Sequence, residues 1–218
     1  MKLTFRHILL PILVIAFTSS LYAQGIKSIG LQTGMNISYV TLSNEDYTIS
    51  LATGLIVGVQ SEMQLSGSIS LEPQLLYARR GLKYQWDMPN ISPLPEILDY
   101  SRELDYVQIP IMVIFKPGGK YVKPFVFVGP DMGIKIGDHT NATSNGQPVP
   151  PGWLIPEIET FDFALDGGAG LEIPLNHQLA IVGSVRYSFG LTTLFKETDN
   201  SWKSRCVQVL AGVNYAIL

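Results

Sequence analysis

Leu179-Ala180-Ile181-Val182-Gly183-Ser184-Val185-Arg186-Tyr187-Ser188-Phe189-Gly190-Leu191 alternates with period two. Its odd positions read Leu, Ile, Gly, Val, Tyr, Phe, Leu; its even positions read Ala, Val, Ser, Arg, Ser, Gly. Successive side chains of a strand point to opposite faces, so this stretch is a strand with one apolar face. The pattern recurs at the C-terminus, where Val207, Val209, Ala211, Val213, Tyr215 and Ile217 oppose Gln208, Leu210, Gly212, Asn214 and Ala216. It recurs again where Leu55, Val57, Val59 and Met63 alternate with Ile56, Gly58, Gln60, Glu62 and Gln64.

Extended along the chain, this reading predicts eight strands near 29–38, 54–64, 69–82, 104–116, 122–136, 159–173, 179–192 and 205–217. Each is about ten residues or longer, the length of a tilted strand that crosses a bilayer. Ordinary globular strands are nearer five or six residues, roughly half that. Short and long connections alternate between them. The short ones are Ser66-Gly67-Ser68, Pro117-Gly118-Gly119-Lys120 and Pro174-Leu175-Asn176-His177; the long ones are 39–53, 83–103, 137–158 and 193–204. Outer-membrane barrels carry short periplasmic turns and longer external loops, and an even strand count leaves both termini in the periplasm. The predicted fold is therefore all-β: an eight-stranded antiparallel up-and-down transmembrane barrel. Aromatics agree, with Tyr77, Phe161, Phe163, Tyr187 and Phe189 toward the long-loop end and Phe115 and Tyr215 toward the short-turn end. Rings favour the two headgroup regions.

Composition excludes several other classes. The 218 residues are 46% hydrophobic and 15% charged, which opposes disorder. A net charge of -3 gives no basic footprint for nucleic acid. The single Cys206 forms no internal disulfide and no multi-thiolate metal site. Residues 1–23 read as a secretory signal peptide: Lys2 and Arg6, the apolar run Ile8 to Phe17, then small residues ending at Ala23. The apolar run is too short to span a bilayer as a helix. Its removal leaves residues 24–218 as one barrel domain with a net charge of about -5.

If the apolar positions face lipid, the opposite set lines the lumen, including Glu62, Glu72, Arg80, Asp162, Asp166, Glu172 and Arg186. An eight-stranded barrel is just wide enough for side chains to fill, so these charges must pair. Symmetric pairing about Asn176 sets Asp166 opposite Arg186, and pairing about Gly67 sets Glu62 opposite Glu72. The second pair requires a cation, a proton or a neighbouring base. A structural ion network accounts for these residues without any catalytic role.

Leu71-Glu72-Pro73-Gln74-Leu75-Leu76-Tyr77, Leu104-Asp105-Tyr106-Val107-Gln108-Ile109-Pro110, Val128-Gly129-Pro130, Val185 to Leu191 and Gln208 to Tyr215 resemble the PorT-like outer-membrane β-barrel family of Bacteroidetes. The similarity covers essentially the whole mature chain, and its motifs mark strands rather than an activity. It implies an outer-membrane barrel, and some relatives are linked to secretion and gliding machinery. Two departures stand out. The chain ends Ala216-Ile217-Leu218 rather than on an aromatic residue, and loops 83–103 and 137–158 are its own.

Enzyme signatures are thin. Asp166-Gly167-Gly168-Ala169-Gly170 lacks the Lys-Ser/Thr and the helix of a phosphate loop. No G-x-S-x-G elbow occurs. His139 falls in an external loop and His177 in a periplasmic turn, neither at metal-ligand spacing, and Cys206 reads as a packed thiol. The expectation is a non-enzymatic outer-membrane protein without cofactor or metal. It would contact outer-membrane lipid and envelope or secretion proteins through external loops, with Tyr84, Trp86, Trp153 and Trp202 as contact candidates. Two alternatives stand beside it: an exported soluble lipocalin-like carrier of a small apolar ligand, which needs the polar set outside, and a barrel enzyme acting on lipid or peptide.

Overall fold

The computed structural model describes residues 25–40, 47–50, 52–87, 97–144, 147–148, 158–193 and 203–217. Within them lie ten strands and no helix: β1 (Ile26–Val40), β2 (Tyr47–Ser50), β3 (Ala52–Ser66), β4 (Ile69–Asp87), β5 (Ile97–Phe115), β6 (Lys123–Ser144), β7 (Gln147–Pro148), β8 (Phe161–Pro174), β9 (Leu179–Thr193) and β10 (Lys203–Ala216). Eight of these form a closed antiparallel barrel. Each pairs with its neighbour in sequence, and β1 meets β10 to complete the ring. The short β2 and β7 attach to the far ends of β4 and β6.

The period-two alternation becomes an inside-out protein. Leu55, Leu75, Val128, Val185 and Val209 are each about half exposed on the outer wall and Leu31 more so, whereas Gln32, Gln74, Gln108, Asp166, Arg186 and Gln208 are buried. A soluble barrel needs the opposite arrangement, so the carrier alternative is overturned by its own requirement. Small apolar clusters share the interior with the polar residues. Ile56, Leu76, Ala78 and Leu210 form one; Met112, Ile114, Phe125 and Phe127 a second; Leu104, Tyr106 and Ile158 a third, near the long-connection end.

The structure corrects the predicted strand ends. The β4–β5 pairing runs on through Lys83↔Ser101 and Tyr84↔Tyr100 to Asp87↔Ile97, and β6 continues to Ser144. Much of 83–103 and the start of 137–158 is therefore a strand ribbon rather than loop, and His139 sits on β6. Strands of 19, 19 and 22 residues exceed the roughly ten that a bilayer needs, so the ribbon stands beyond the membrane. The outward apolar run ends at Tyr77 on β4 and Val107 on β5, where Arg79 and Asp105 replace it.

Candidate functional site

The lumen carries its charges in tiers. Nearest the short turns, Glu62 and Glu172 share Lys116, whose Nζ lies 3.0 Å from Glu62 Oε2 and 2.6 Å from Glu172 Oε2. Lys27 adds a contact to Glu62 at 3.3 Å, Lys123 one to Glu172 at 3.2 Å, and Ser70 Oγ donates to Glu62 at 2.8 Å. Lys116 follows Phe115, the last residue of β5, and its long apolar stem lets the ammonium reach back into the barrel over the Phe125 ring. It is the base that the facing Glu62 and Glu72 require. Glu72 itself accepts from Gln74 Nε2 at 2.7 Å.

The middle tier is built around two arginines. Arg186 donates through Nη2 to Gln74 Oε1 at 2.7 Å, approaches Asp166 at 3.5 Å and lies over the Phe127 ring. Arg80 donates to Asp162, comes within 3.7 Å of Asp131 and lies over Tyr106. Gln108 donates to Asp131 at 2.6 Å, and Thr192 to Asp162 at 2.9 Å.

The structure thus brings all seven sequence-named lumen residues inside the barrel and keeps the predicted register about Gly67, Gln60↔Gln74 and Met63↔Leu71 framing Glu62 and Glu72, but the β8–β9 hairpin has a different one. Asp166 stands opposite Ser188, and Gly168 opposite Arg186, so the Asp166–Arg186 pair is diagonal rather than direct. The shift arises in the turn, where Asn176 Oδ1 accepts hydrogen bonds from the backbone of Gln178 and Leu179, moving the hairpin centre by one residue. Sequence reasoning missed Asp131, Lys116 and Gln108. On β6 the inward set is odd-numbered, Phe125, Phe127, Gly129, Asp131, and both faces there are apolar enough to hide which one points in.

At the mouth, Arg102 grips Asp138 through two hydrogen bonds of 2.7 and 2.5 Å. Those hydrogen bonds and the guanidinium charge hold the Asp138 carboxyl below its ordinary value. Lys135 joins them and donates to the Ile158 carbonyl at 2.9 Å, with the Ile158 side chain buried against Leu104 and Tyr106. Outside, just beyond the apolar band, Asp105 accepts from Arg79 at 2.9 Å and from Tyr77 at 2.7 Å, with His139 at 3.7 Å. Burial opposes the charge of Asp105, but these hydrogen bonds and Arg79 outweigh it and keep its value low.

Of the contact candidates, Tyr84 and Trp86 lie on the ribbon, paired with Tyr100 and Leu98, while Trp153 and Trp202 fall outside the described residues. The signal segment 1–23 also falls outside them. Asp166 to Gly170 lies within strand β8, where Gly168 and Gly170 admit the Phe127 and Phe125 rings against the backbone. Cys206 is buried in the lumen beside the hydroxyls of Ser38 and Ser204. Among the described residues no group of three or more His, Cys, Asp or Glu side chains is arranged to hold a metal.

No curated protein matches the chain. Among solved structures, Neisserial surface protein A is 14% identical with a TM-score of 0.47, over 86% of this chain and 96% of that one. Ail, the attachment invasion locus protein of Yersinia pestis, is 16% identical with a TM-score of 0.44, over 88% and 100%. OprG from Pseudomonas aeruginosa is 12% identical with a TM-score of 0.49, over 88% and 96%. Likenesses at this level carry no argument about what this chain binds or does. The family described as outer membrane protein beta-barrel domain matches residues 22–196, most of the chain. With a closed barrel, an apolar outer wall and a polar lumen already in place, this chain belongs to the outer membrane protein β-barrel domain family.

Proposed function

We propose that this protein is a non-conducting, non-enzymatic outer-membrane barrel that docks other envelope proteins through its external ribbon. In this reading it reaches the membrane by a signal peptide at 1–23 and belongs to the PorT-like branch that its strand motifs resemble, as an accessory of a secretion or surface complex. One observation carries it: the lumen is occupied from short turns to mouth by paired charges and apolar clusters, while β4, β5 and β6 continue past the apolar band. A filled eight-stranded barrel leaves no aqueous path. A paired ribbon beyond the lipid band gives partners a surface to meet.

The test has two arms. In planar bilayers the purified protein stays closed. In intact cells, a photo-crosslinking residue at position 84 or 86 gives a discrete adduct with one envelope protein. Steady ohmic conductance, or ribbon positions that never yield an adduct, would refute the reading.

A further inference from the structure

The middle of the lumen sets three carboxylates against two guanidinium groups. Asp162 is fully engaged, by Arg80 at Oδ2 and by Thr192 at Oδ1. Asp166 takes Arg186 at 3.5 Å, with Ser188 opposite it on β9. Asp131 is the acid left over: Arg80, already committed to Asp162, stands 3.7 Å from its Oδ2.

That same Oδ2 accepts from Gln108 Nε2 at 2.6 Å, and the other atom of each group is an orphan. Asp131 Oδ1 and Gln108 Oε1 are buried without a hydrogen-bond partner. Asp131 is 2% exposed and Gln108 0%. The β5–β6 register places Gln108 opposite Gly133 and Pro110 opposite Asp131, so the two side chains meet diagonally on the lumen face, above a glycine.

A carboxyl and a carboxamide have the same planar shape. One N–H···O bond already joins these two, and the atoms left over are both acceptors, with no hydrogen between them. Two orphaned acceptors on two joined groups, in a site short of one positive charge, call for the same thing. A proton taken from water onto Asp131 Oδ1 makes that oxygen a donor to Gln108 Oε1. The pair then closes as a ring of two hydrogen bonds, and two carboxylates remain against two guanidiniums.

We propose that Asp131 and Gln108 form a proton-binding site inside the barrel, occupied at neutral pH. The charged groups facing it are Arg80 on β4, Asp162 and Asp166 on β8 and Arg186 on β9, with Tyr106 on β5 and Cys206 on β10 beside Arg80. The site is independent of what the ribbon binds. Its consequence is a linkage: above about pH 4, where an unfolded aspartate is ionised, the folded protein holds one proton more than the unfolded chain. Stability attributable to this site then falls as pH rises, by roughly tenfold in the unfolding constant per pH unit.

Asp131→Asn is the informative variant, because its amide supplies the missing hydrogen permanently and keeps the shape. In urea unfolding from phospholipid vesicles between about pH 5 and pH 7, the wild-type unfolding constant should climb roughly tenfold per unit relative to Asp131→Asn. Infrared spectra at neutral pH should show the carbonyl band of a protonated carboxylic acid in the wild type and lack it in the variant. Parallel pH profiles, absence of that band, or a stability that follows sodium concentration instead of pH would overturn the proposal. If Asp131→Asn does not fold, the infrared band should persist in Glu72→Gln and in Asp166→Asn, two other buried acids, and its loss in either would overturn the proposal.

Discussion

Arg186→Met removes the charge from the middle of the lumen while keeping most of the side chain's length and its place over Phe127. Asp166, 0% exposed, then stands without its cation, and Gln74 Oε1 loses a 2.7 Å hydrogen bond from a charged donor. Breaking a buried pair by deleting one partner costs about 3–5 kcal/mol, because the remaining ion has no water to return to. The Gln74 bond, worth about 1.5–3 kcal/mol, lies within that total and is not added to it. Adding Asp166→Asn removes the stranded charge, so the double variant should recover to within about 1–2 kcal/mol of wild type, the residue being the unsatisfied Gln74 carbonyl. The assay is reversible urea unfolding in vesicles, followed by the heat-shifted gel band of the folded barrel. A single variant costing under about 1 kcal/mol, or a double variant no more stable than the single, would refute the claim that this diagonal pair carries buried charge.

Val185→Arg places a cation midway along the outer face of β9, and should lower folding stability in vesicles by about 2–4 kcal/mol. Gln178→Arg, in an exposed short turn, should change it little, and equal effects at both sites would argue against a lipid-facing band. Asp138, held low by Arg102, stabilises the ribbon only while ionised. Its contribution is complete above the unfolded aspartate value of about 3.9 and is lost as pH falls through the lower folded value. Amide hydrogen exchange around Arg102 and Asp138 should therefore speed up in acid, and Asp138→Asn should remove that dependence.

The eight barrel strands were legible because lipid imposes one rule on every strand: apolar out, at period two, for at least a bilayer's thickness. Where that rule lapses, the sequence is silent or misleading. Lys83 to Asp87 alternates in the opposite phase, with Tyr84 and Trp86 on even positions where the outward apolar residues of β4 are odd, so the lipid rule stops short of it although its backbone pairs as regularly as the barrel's. Phe125-Val126-Phe127-Val128 is apolar on both faces, and the inward phase of β6 disappears with Asp131 on it. Lys116 is the last residue of the predicted strand 104–116, and nothing in the sequence shows that its flexible stem carries the ammonium back into the lumen. The outward cluster of Arg79, Asp105 and His139 escaped notice for the opposite reason: its members are far apart in sequence, and only the β4–β5–β6 register assembles them.

Closure of the ring poses a problem of room more than of entropy. β1 meets β10 in unbroken register from Ser28↔Ala216 to Val40↔Ser204, and the entropy of so long a loop grows only logarithmically with its length. Inside, polar side chains must find partners on strands that are not their neighbours. Gln60 on β3 donates to Asn214 on β10 at 2.7 Å, passing over β1, where Gly30 lies; a Cβ there would stand 2.0 Å from Asn214 Oδ1. Asn36 on β1 donates to the Arg79 carbonyl on β4, passing over β3, where Gly54 lies; a Cβ there would stand 1.9 Å from that oxygen. At these two positions glycine serves as clearance for a bond between its neighbours. Such strand-skipping bonds, with Arg186 to Gln74 across the lumen, brace the barrel in directions that sheet hydrogen bonds do not. A wall braced in this way has little freedom to open a pore, and the proposed docking through the ribbon rests on that rigidity.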